Sequence, residues 1–396
     1  MNWLWVNSTQ VAFGVDAVKE NIGKWVKPGS KIVCTYGGGS IEKNGAKADV
    51  TEALAALKCD VTWEGGILAN PEYERLAEIA QVVRRIQPDF LLAVGGGSTL
   101  DGTKFISLIS KMPEGLDHYN EILLKHNFPT EAFPIGSVMT LPATGSEWNN
   151  NFVISREATK QKFGCASQLT FPHFSLLDPR YTMTLPVRQL RNGVWDAITH
   201  CLDQYMTPHE LPMMDDYWIS TFKELVTIAP DHLKPNSSLE LHERLIVAAT
   251  FALNLVFTLG KDTDWSIHSI GHMLTAKYNI DHGATLAIIA PYLLERKFED
   301  RKVLMAKTAE QVFGIREGNV DEKAKAFLVE MRKFIKQIGQ PLKVSEYEFP
   351  MKSQLEPGDV ELVTKMVMES VGNSPFGVDK SVNEEDVHWI LERVLL

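Results

Sequence analysis

The sequence predicts an α/β N-terminal domain with a mostly parallel sheet, followed by an all-α C-terminal domain. At 396 residues the chain is longer than one hydrophobic core usually holds. Strand-like runs and amphipathic helical stretches alternate over the first half, and only the helical period persists in the second. We therefore predict two domains, residues 1–180 and 181–396.

Strands and helices alternate regularly in the first half. The strand-like runs are residues 31–36, 59–65, 89–97, 134–144 and 173–179, and the helical stretches are residues 48–58, 70–87 and 98–111. Asn70 is the expected N-cap of the second helix, with Pro71 in its first turn. Alternation of this kind gives right-handed βαβ units and a mostly parallel sheet. The segment NSTQVAF, residues 7–13, predicts an edge strand that needs a partner.

The second half places its apolar residues at helical spacing in long stretches. The clearest are residues 188–206, 215–233, 241–257, 265–278 and 323–339. A convincing strand pattern is hard to find among them. The second domain should therefore be all-helical.

The composition is typical of an acidic globular protein. The net charge of −10 argues against a nucleic-acid or anionic-membrane partner. No run of about 18 apolar residues predicts a membrane span, and the start MNWLWVNSTQ lacks the pattern of a secretory signal. The four cysteines are widely spaced without a CxxC pair, which favours a reduced, cytoplasmic protein.

The stretch VGGGSTLDGTK, residues 94–104, runs from a buried strand through glycines into a helix. Glycines let the backbone approach a ligand closely, and a helix N-terminus attracts an anion. Pyrophosphate is the natural ligand of such a loop. The sequence of this loop matches neither GxGxxG nor a Walker loop. A tight strand-to-helix turn without a ligand is therefore the alternative.

A second GGGS, residues 37–40, follows the strand at 31–36. An acidic residue near such a strand end commonly holds the ribose hydroxyls of NAD. Here Gly37, Gly38, Gly39 and Ser40 occupy that point, and Lys43 follows. Free N–H groups, a hydroxyl and a nearby cation would accept a 2′-phosphate, which favours NADP(H) over NAD(H). A flexible surface turn is the alternative.

Histidines and an aspartate form a candidate metal site in the second half. His268 and His272 lie four residues apart on one helix face, and His282 follows just beyond the predicted helix end. Asp196 and His200 form a similar pair upstream, so two chelating pairs on facing helices are plausible. Imidazole and carboxylate ligands suit Fe(II), Zn(II), Mn(II) or Co(II). The spacing alone would pair His268 with His272 as ligands.

Six stretches in a fixed order resemble the iron-dependent, group III alcohol dehydrogenases. Within that family, the sequence is most similar to the branch of butanol dehydrogenases and NADPH-dependent aldehyde reductases. The resemblance covers nearly the whole chain. The stretches that carry it are NSTQVAFG, AVGGGSTLDGTK, LPATGSEWN, LLDPRYTMTLP, NGVWDAITH and WSIHSIGHMLTAKYNIDHGATLAI.

The resemblance implies a dinucleotide-binding first domain, a metal-binding second domain and a role for each matching residue. His272 would lie near the metal and the nicotinamide without binding the ion, which corrects the pairing that spacing favours. The implied metal ligands are Asp196, His200, His268 and His282. The implied cofactor contacts are Gly96, Gly97, Ser98 and Asp101 at the pyrophosphate, Thr140, Thr144, Asn149 and Leu177 at the nicotinamide, and either Lys160 or Lys162.

The implied activity is hydride transfer between NAD(P)(H) and aldehydes or primary alcohols of butyraldehyde type. One divalent ion, Fe(II) or Zn(II), would polarise the carbonyl, and the protein would be a homodimer. A polyol or glycerol dehydrogenase is an alternative, although Trp148, Trp195 and Phe251 hint at an apolar pocket. A nucleotide sensor without catalysis is a more remote alternative, because it predicts a broken ligand set.

Overall fold

The structure is a computed structural model that describes residues 3–396, and it confirms the predicted fold class. The strands are β1 (Gln10–Phe13), β2 (Lys31–Tyr36), β3 (Asp60–Glu64), β4 (Phe90–Gly96), β5 (Ile135–Leu141), β6 (Asn151–Arg156), β7 (Gln161–Ala166) and β8 (Phe174–Leu177). Six of them form a sheet in the order β1-β8-β5-β4-β2-β3, and every neighbouring pair is parallel. The other two, β6 and β7, form an antiparallel hairpin.

The strand order reverses between β2 and β4. Strand β3 lies on one side of β2, and β4, β5 and β8 follow on the other. Tyr36 at the end of β2 is in register with Val94 of β4, so the two GGGS loops begin side by side. Ligands of open α/β sheets bind at the carboxyl ends of the strands where the order reverses. Both loops therefore border the point where a dinucleotide is expected.

The α-helices of the described chain alternate with the strands in the first half and make up nearly all of the second half. They are α1 (Ala17–Asn21), α2 (Ser40–Lys43), α3 (Ala46–Ala56), α4 (Tyr73–Ile86), α5 (Gly97–Ile109), α6 (Val187–Tyr205), α7 (Pro212–His232), α8 (Leu239–Ala252), α9 (Ser266–Tyr278), α10 (His282–Arg296), α11 (Phe298–Val312), α12 (Val320–Gln337), α13 (Asp359–Ser370) and α14 (Glu384–Leu395).

Apolar residues cover the sheet on both faces. Val33 of β2 packs into one core cluster with residues of α4 and α5. Its neighbours Ile32 and Cys34 pack into a second cluster with residues of α1 and α3. Side chains alternate between the two faces of a strand, so a run that is apolar throughout indicates burial on both sides.

Two local predictions were wrong or incomplete. Helix α4 begins at Tyr73 with Glu72 as its N-cap, whereas Asn70 adopts a left-handed conformation with φ 56° and does not cap it. Asparagine is one of the residues that tolerate this conformation. The hairpin of β6 and β7 was not predicted, because the segment QKFGCA has no β-branched residue to mark a strand.

The described chain divides into two compact units. One contains Val6–Pro186 and Asn236–Asn254, and the other contains Val187–Pro235, Leu255–Leu396 and the described residues up to Trp5. Helix α8 therefore belongs with the sheet, although it follows the predicted domain boundary at residue 180. Thr182 Oγ1 lies 2.8 Å from His242 Nδ1 on α8, which ties the helix to the end of the sheet segment.

One stretch, Leu239–Thr258, is long and apolar enough to cross a membrane by length and composition alone. Within the protein, 56% of its apolar window is buried, and the α-helix ends at Ala252. Ile246 of this helix packs against Met139 and Leu177. The stretch is thus packed as a core helix of its unit.

Candidate functional site

The helical unit brings four of the predicted metal ligands together. Asp196 and His200 lie one turn apart on α6, His268 lies on α9, and His282 begins α10. The Nε2 atoms of His200 and His282 are each 3.6 Å from Asp196 Oδ1, and that of His268 is 3.7 Å from it. Three of these side chains are buried, and only His282 is partly exposed. The ligand atoms of Asp196, His268 and His282 lie within 4.8 Å of one another, and His200 adjoins this group through Asp196.

The separations fit one metal ion. Ligand atoms about 2.1 Å from a tetrahedrally coordinated ion lie about 3.4 Å from each other, close to the three separations measured from Asp196 Oδ1. His268 Nε2 is buried and makes no hydrogen bond with any described residue. A buried polar nitrogen of this kind is costly unless it meets an ion or a water. Three imidazoles and one carboxylate are suitable ligands for a divalent first-row metal.

Asp203 supports this cluster and was not predicted from the sequence. Its Oδ2 lies 2.6 Å from His268 Nδ1, and the same carboxylate accepts hydrogen bonds from the N–H groups of Ile267 and His268. A carboxylate at Nδ1 fixes the tautomer that leaves Nε2 available to a metal. Asp196, His200 and Asp203 are spaced i, i+4 and i+7, so the helix period was the available signal.

The carboxylates also determine the charge of His268. Burial lowers its pKa, but attraction to the nearby carboxylates of Asp196 and Asp203 outweighs this and raises the pKa to about 9. Metal binding at such a site releases protons.

His282 is held from both sides. The carboxylate of the preceding residue, Asp281, accepts two hydrogen bonds from the Arg188 guanidinium, at 2.5 and 2.8 Å. The following residue, Gly283, packs so closely on Asn192 that a Cβ would lie 2.6 Å from the Asn192 carbonyl oxygen. The first turn of α10 can therefore move little, which fixes where His282 begins the helix.

His272 lies beside the ligand cluster on α9. Its ring centroid is 5.1 Å from that of His282 and 6.1 Å from that of His268. The side chain is half-buried, like that of His282, whereas His200 and His268 are buried. The cluster is therefore most accessible on the side of His272 and His282.

The loop at 95–98 packs tightly in the first unit. Helix α5 begins at Gly97 directly after β4, so its first N–H groups lie at the strand end, with Ser98 half-buried beside them. A Cβ at Gly97 would lie 2.4 Å from Thr144 Oγ1, and one at Gly96 would lie 2.9 Å from Leu141 Cβ. Packing alone thus requires these glycines, and the helix start is the feature that suits a phosphate.

Asp101 faces inward from α5. Its Oδ1 accepts a hydrogen bond from Ser146 Oγ at 2.7 Å, and its Oδ2 accepts one from the Val153 N–H at 3.0 Å. Burial raises the pKa of this carboxyl to about 6. Both oxygens are engaged by the protein, so Asp101 supports the loop after β5, and the predicted pyrophosphate contact would require it to give up one of these bonds.

Lys104, one turn further along α5, is buried and was not singled out from the sequence. Its Nζ donates to Ser146 Oγ at 2.7 Å and to the carbonyl oxygens of Ser146, Asn149 and Asn151 at 2.8 to 2.9 Å. Burial lowers the pKa of the ammonium to about 8, against the attraction of Asp101 and Glu147. One buried cation thus fixes the segment 146–151.

The residues predicted at the nicotinamide have different environments. Thr140, Asn149 and Leu177 are buried, whereas Thr144 is partly exposed. The Asn149 side chain donates to the Leu253 carbonyl oxygen at 2.9 Å, which ties this loop to the end of α8. Thr144 is therefore the member of this set with an accessible side chain.

The two candidate lysines differ clearly. Lys160 is exposed at the turn between β6 and β7, with φ 53°. Lys162 is buried on β7, with Nζ 3.0 Å from Asn70 Oδ1, and its charge acts on Asp101 of α5. Lys162 thus lies close enough to α5 to influence Asp101, whereas Lys160 is exposed at a turn.

The loop at 37–40 is open, whereas the loop at 95–98 is packed. A Cβ at Gly37 would lie 2.9 Å from the Ile67 carbonyl oxygen, but one at Gly38 or Gly39 would meet no atom within 4 Å. Neither of these two has a positive φ. Neither packing nor backbone conformation therefore requires glycine at positions 38 and 39. Close approach of a ligand to the backbone is the remaining physical reason for glycine there. Gly38, Gly39 and Ser40 are all exposed.

The three aromatic residues considered for an apolar pocket do not share one environment. Trp195 is fully buried in the helical unit, with its ring 6.3 Å from that of Phe334. Trp148 and Phe251 contact each other edge to face in the first unit, with centroids 5.2 Å apart, and both are partly exposed. The hint from Trp195 was therefore wrong, because it is a core residue.

Comparison with known proteins finds two matching family models and several similar chains. A family described as "Iron-containing alcohol dehydrogenase" matches residues 8–179, and the C-terminal part of the Fe-containing alcohol dehydrogenase family matches residues 191–395. The chain is 39% identical over 340 residues to the NADPH-dependent aldehyde reductase YqhD of Escherichia coli K12, covering 86% of this chain and 87% of that protein. It is 34% identical over 400 residues to the probable NADH-dependent butanol dehydrogenase 1 of Bacillus subtilis, covering all of both.

The fold agrees equally well with a solved structure. The crystal structure of E. coli K12 YqhD superposes with a TM-score of 0.93 at 35% identity, over 99% of this chain and 98% of that one. The chain therefore belongs to the iron-containing alcohol dehydrogenase family. The resemblance inferred from its six stretches is confirmed.

Proposed function

We propose that this protein interconverts aldehydes and primary alcohols, with NADPH preferred over NADH, at a single divalent ion held by Asp196, His200, His268 and His282. Family membership makes the chain an oxidoreductase that acts on CH–OH groups with a nicotinamide cofactor and a metal. The observation that carries the residue assignment is the gathering of three Nε2 atoms within 3.7 Å of Asp196 Oδ1. A noncatalytic nucleotide sensor would have no need of such a cluster.

The ion would supply Lewis acidity toward a carbonyl oxygen, and Fe(II) and Zn(II) both suit these ligands. Asp203 keeps the proton on His268 Nδ1 and so directs Nε2 toward the ion. The Arg188–Asp281 pair fixes the start of α10 and with it His282. His272, half-buried beside His282, would pass a proton between solvent and the substrate oxygen, and its partial exposure supports this role.

Gly96, Gly97 and Ser98 at the start of α5 would receive the pyrophosphate, with Lys162 nearby and Thr144 toward the nicotinamide. Relatives named as an aldehyde reductase and as butanol dehydrogenases support an aldehyde substrate of butyraldehyde type over a polyol. Activity is tested with NADPH and a panel of aldehydes, before and after chelation. Turnover with glycerol but not with butyraldehyde would contradict the substrate assignment.

The preference for NADPH rests on the loop at 37–40, because relatives named for NADPH and for NADH are both similar to this chain. Exposed N–H groups and the Ser40 hydroxyl offer hydrogen bonds to a 2′-phosphate, and no acidic residue stands at the end of β2. Ser40→Asp should weaken NADPH binding far more than NADH binding. An equal loss for both cofactors would remove this support.

A homodimer in the cytoplasm completes the proposal. Strand β1 pairs only with β8 among the described strands, and Val11 and Phe13 are exposed along it. An open apolar edge is a surface that a second copy could cover. Sedimentation measures this directly, and a monomer at micromolar concentration would contradict it.

A further inference from the structure

A lysine beside the open loop was not considered from the sequence. Lys47 lies in the first turn of α3, and its Nζ is 2.8 Å from Glu42 Oε1 on α2. The same Nζ lies 5.6 Å from the ring centroids of both Tyr36 and Trp63. Tyr36 directly precedes the glycines, and Glu42 follows Ser40 by two residues. Lys47 Nζ therefore contacts a residue on each side of the loop at 37–40.

The aromatic pair gives this lysine a fixed position. Tyr36 and Trp63 contact edge to face, with centroids 5.9 Å apart. Gly65 leaves room for the Tyr36 ring, since a Cβ there would lie 2.5 Å from it. An ammonium over two rings is held by cation–π attraction while its stem covers apolar surface. Lys47 is thus less free than an ordinary surface lysine.

The ion pair between Lys47 and Glu42, in contrast, can be replaced readily by another anion. The Lys47 and Glu42 side chains are 32% and 60% exposed. Ion pairs between exposed groups are weak and are screened by salt. A phosphate carries more negative charge than a carboxylate and accepts stronger charge-assisted hydrogen bonds. A phosphate arriving at this loop would therefore compete successfully for the ammonium.

We propose that Lys47 is a specificity-determining residue that leaves Glu42 to bind the cofactor 2′-phosphate, and that Glu42 opposes the same phosphate. This inference deepens the proposed function, on which it rests, by naming a cation and its competitor at the adenosine end. It accounts for the bare backbone at Gly38 and Gly39 beside an anchored positive charge. It also predicts opposite effects from two neighbouring residues.

The test is the dissociation constant of each variant for NADPH, NADH and adenosine 2′-monophosphate. Lys47→Gln should weaken NADPH and adenosine 2′-monophosphate by about tenfold or more, as expected for a lost hydrogen bond between charged groups. NADH binding should change less than about twofold. Glu42→Gln should tighten NADPH and leave NADH unchanged. Lys19→Gln is the matched control, because Lys19 is also an exposed, paired lysine of this unit.

Equal losses for NADPH and NADH in Lys47→Gln, or weaker NADPH binding in Glu42→Gln, would overturn the inference. Wild-type protein that does not bind adenosine 2′-monophosphate would overturn it as well. The proposed function is judged separately, by aldehyde reduction with NADH in the same variants. A wild type that reduces no aldehyde with either NADPH or NADH would contradict the proposed function. The dissociation constants decide the role of Lys47 separately.

Discussion

At the scale of single residues, the candidate metal site depends on a carboxylate that is not itself a proposed ligand. Asp203 lies behind His268 and accepts its Nδ1–H group. Such outer carboxylates set the tautomer and orientation of a ligand histidine. The cluster is therefore best described as four candidate ligands and one positioning residue.

Asp203→Asn should lower metal affinity by about 10- to 100-fold, because His268 loses the charge that fixes its tautomer. Metal titration with a competing chelator measures this, and excess metal should restore much of kcat. Asp231→Asn is the control, since Asp231 is an exposed residue of the same unit. Unchanged metal affinity in Asp203→Asn would show that Asp203 has only a structural role.

The two GGGS loops make a second residue-scale prediction. Gly97→Ala places a Cβ against Thr144, so it should lower the free energy of unfolding by about 1–3 kcal/mol. Gly38→Ala has open space and should change it by less than about 0.5 kcal/mol. Thermal unfolding without cofactor compares the two directly. Similar losses at both positions would contradict the different environments described for the loops.

At the scale of elements, the segment after β5 is fixed by charges buried behind it. Lys104 donates to three residues of this segment, and Asp101 bonds Ser146 and Val153. Glu147 is buried beside them, and burial raises its pKa. This network positions the segment that carries Thr144 and Asn149.

The raised pKa of Asp101 gives a pH dependence of known sign. Its folded pKa of about 6 exceeds the unfolded value of 3.8, so the folded state binds the extra proton. The stability from this group is complete below about pH 4 and is lost as the pH rises through about 6, by up to about 3 kcal/mol.

Asp101→Asn removes this titration. As the pH rises from about 4 to about 6, the free energy of unfolding of the wild type should therefore fall relative to that of the variant. Denaturant unfolding at several pH values measures it. A difference that stays constant, or moves in the wild type's favour, would show that the carboxyl is not held in its protonated form by burial.

The sequence predicted most strands and helices because their signals are local. Apolar runs that end in glycines marked β2 and β4, and helical periodicity marked α6 and α9. It failed where tertiary contacts decide, since Asn70 adopts a left-handed conformation and does not cap α4. The place of α8 in the chain likewise does not reveal that this helix belongs to the same compact unit as the sheet. Burial of Lys104 and Asp101 likewise depends on the distant segment 146–153, so spacing could not reveal it.

At the scale of the whole molecule, family membership and the gathered ligands support one account. A parallel sheet carries both glycine loops at the reversal of its strand order, and the helical unit carries the candidate metal ligands. The sequence could predict the ligand set only through the family resemblance, because spacing alone favoured His272 over His282. The structure places His272 beside the cluster, where a proton-transfer role stays a prediction.

The central claim is that one divalent ion at Asp196, His200, His268 and His282 is required for aldehyde reduction. The most direct measurement is NADPH oxidation with butyraldehyde by protein that has been chelated and then reloaded with Fe(II) or Zn(II). We predict that activity is lost on chelation and returns as loading approaches one ion per chain, whereas Asp196→Ala stays inactive under the same reloading. Full turnover by the metal-free protein, or by Asp196→Ala, would contradict the account.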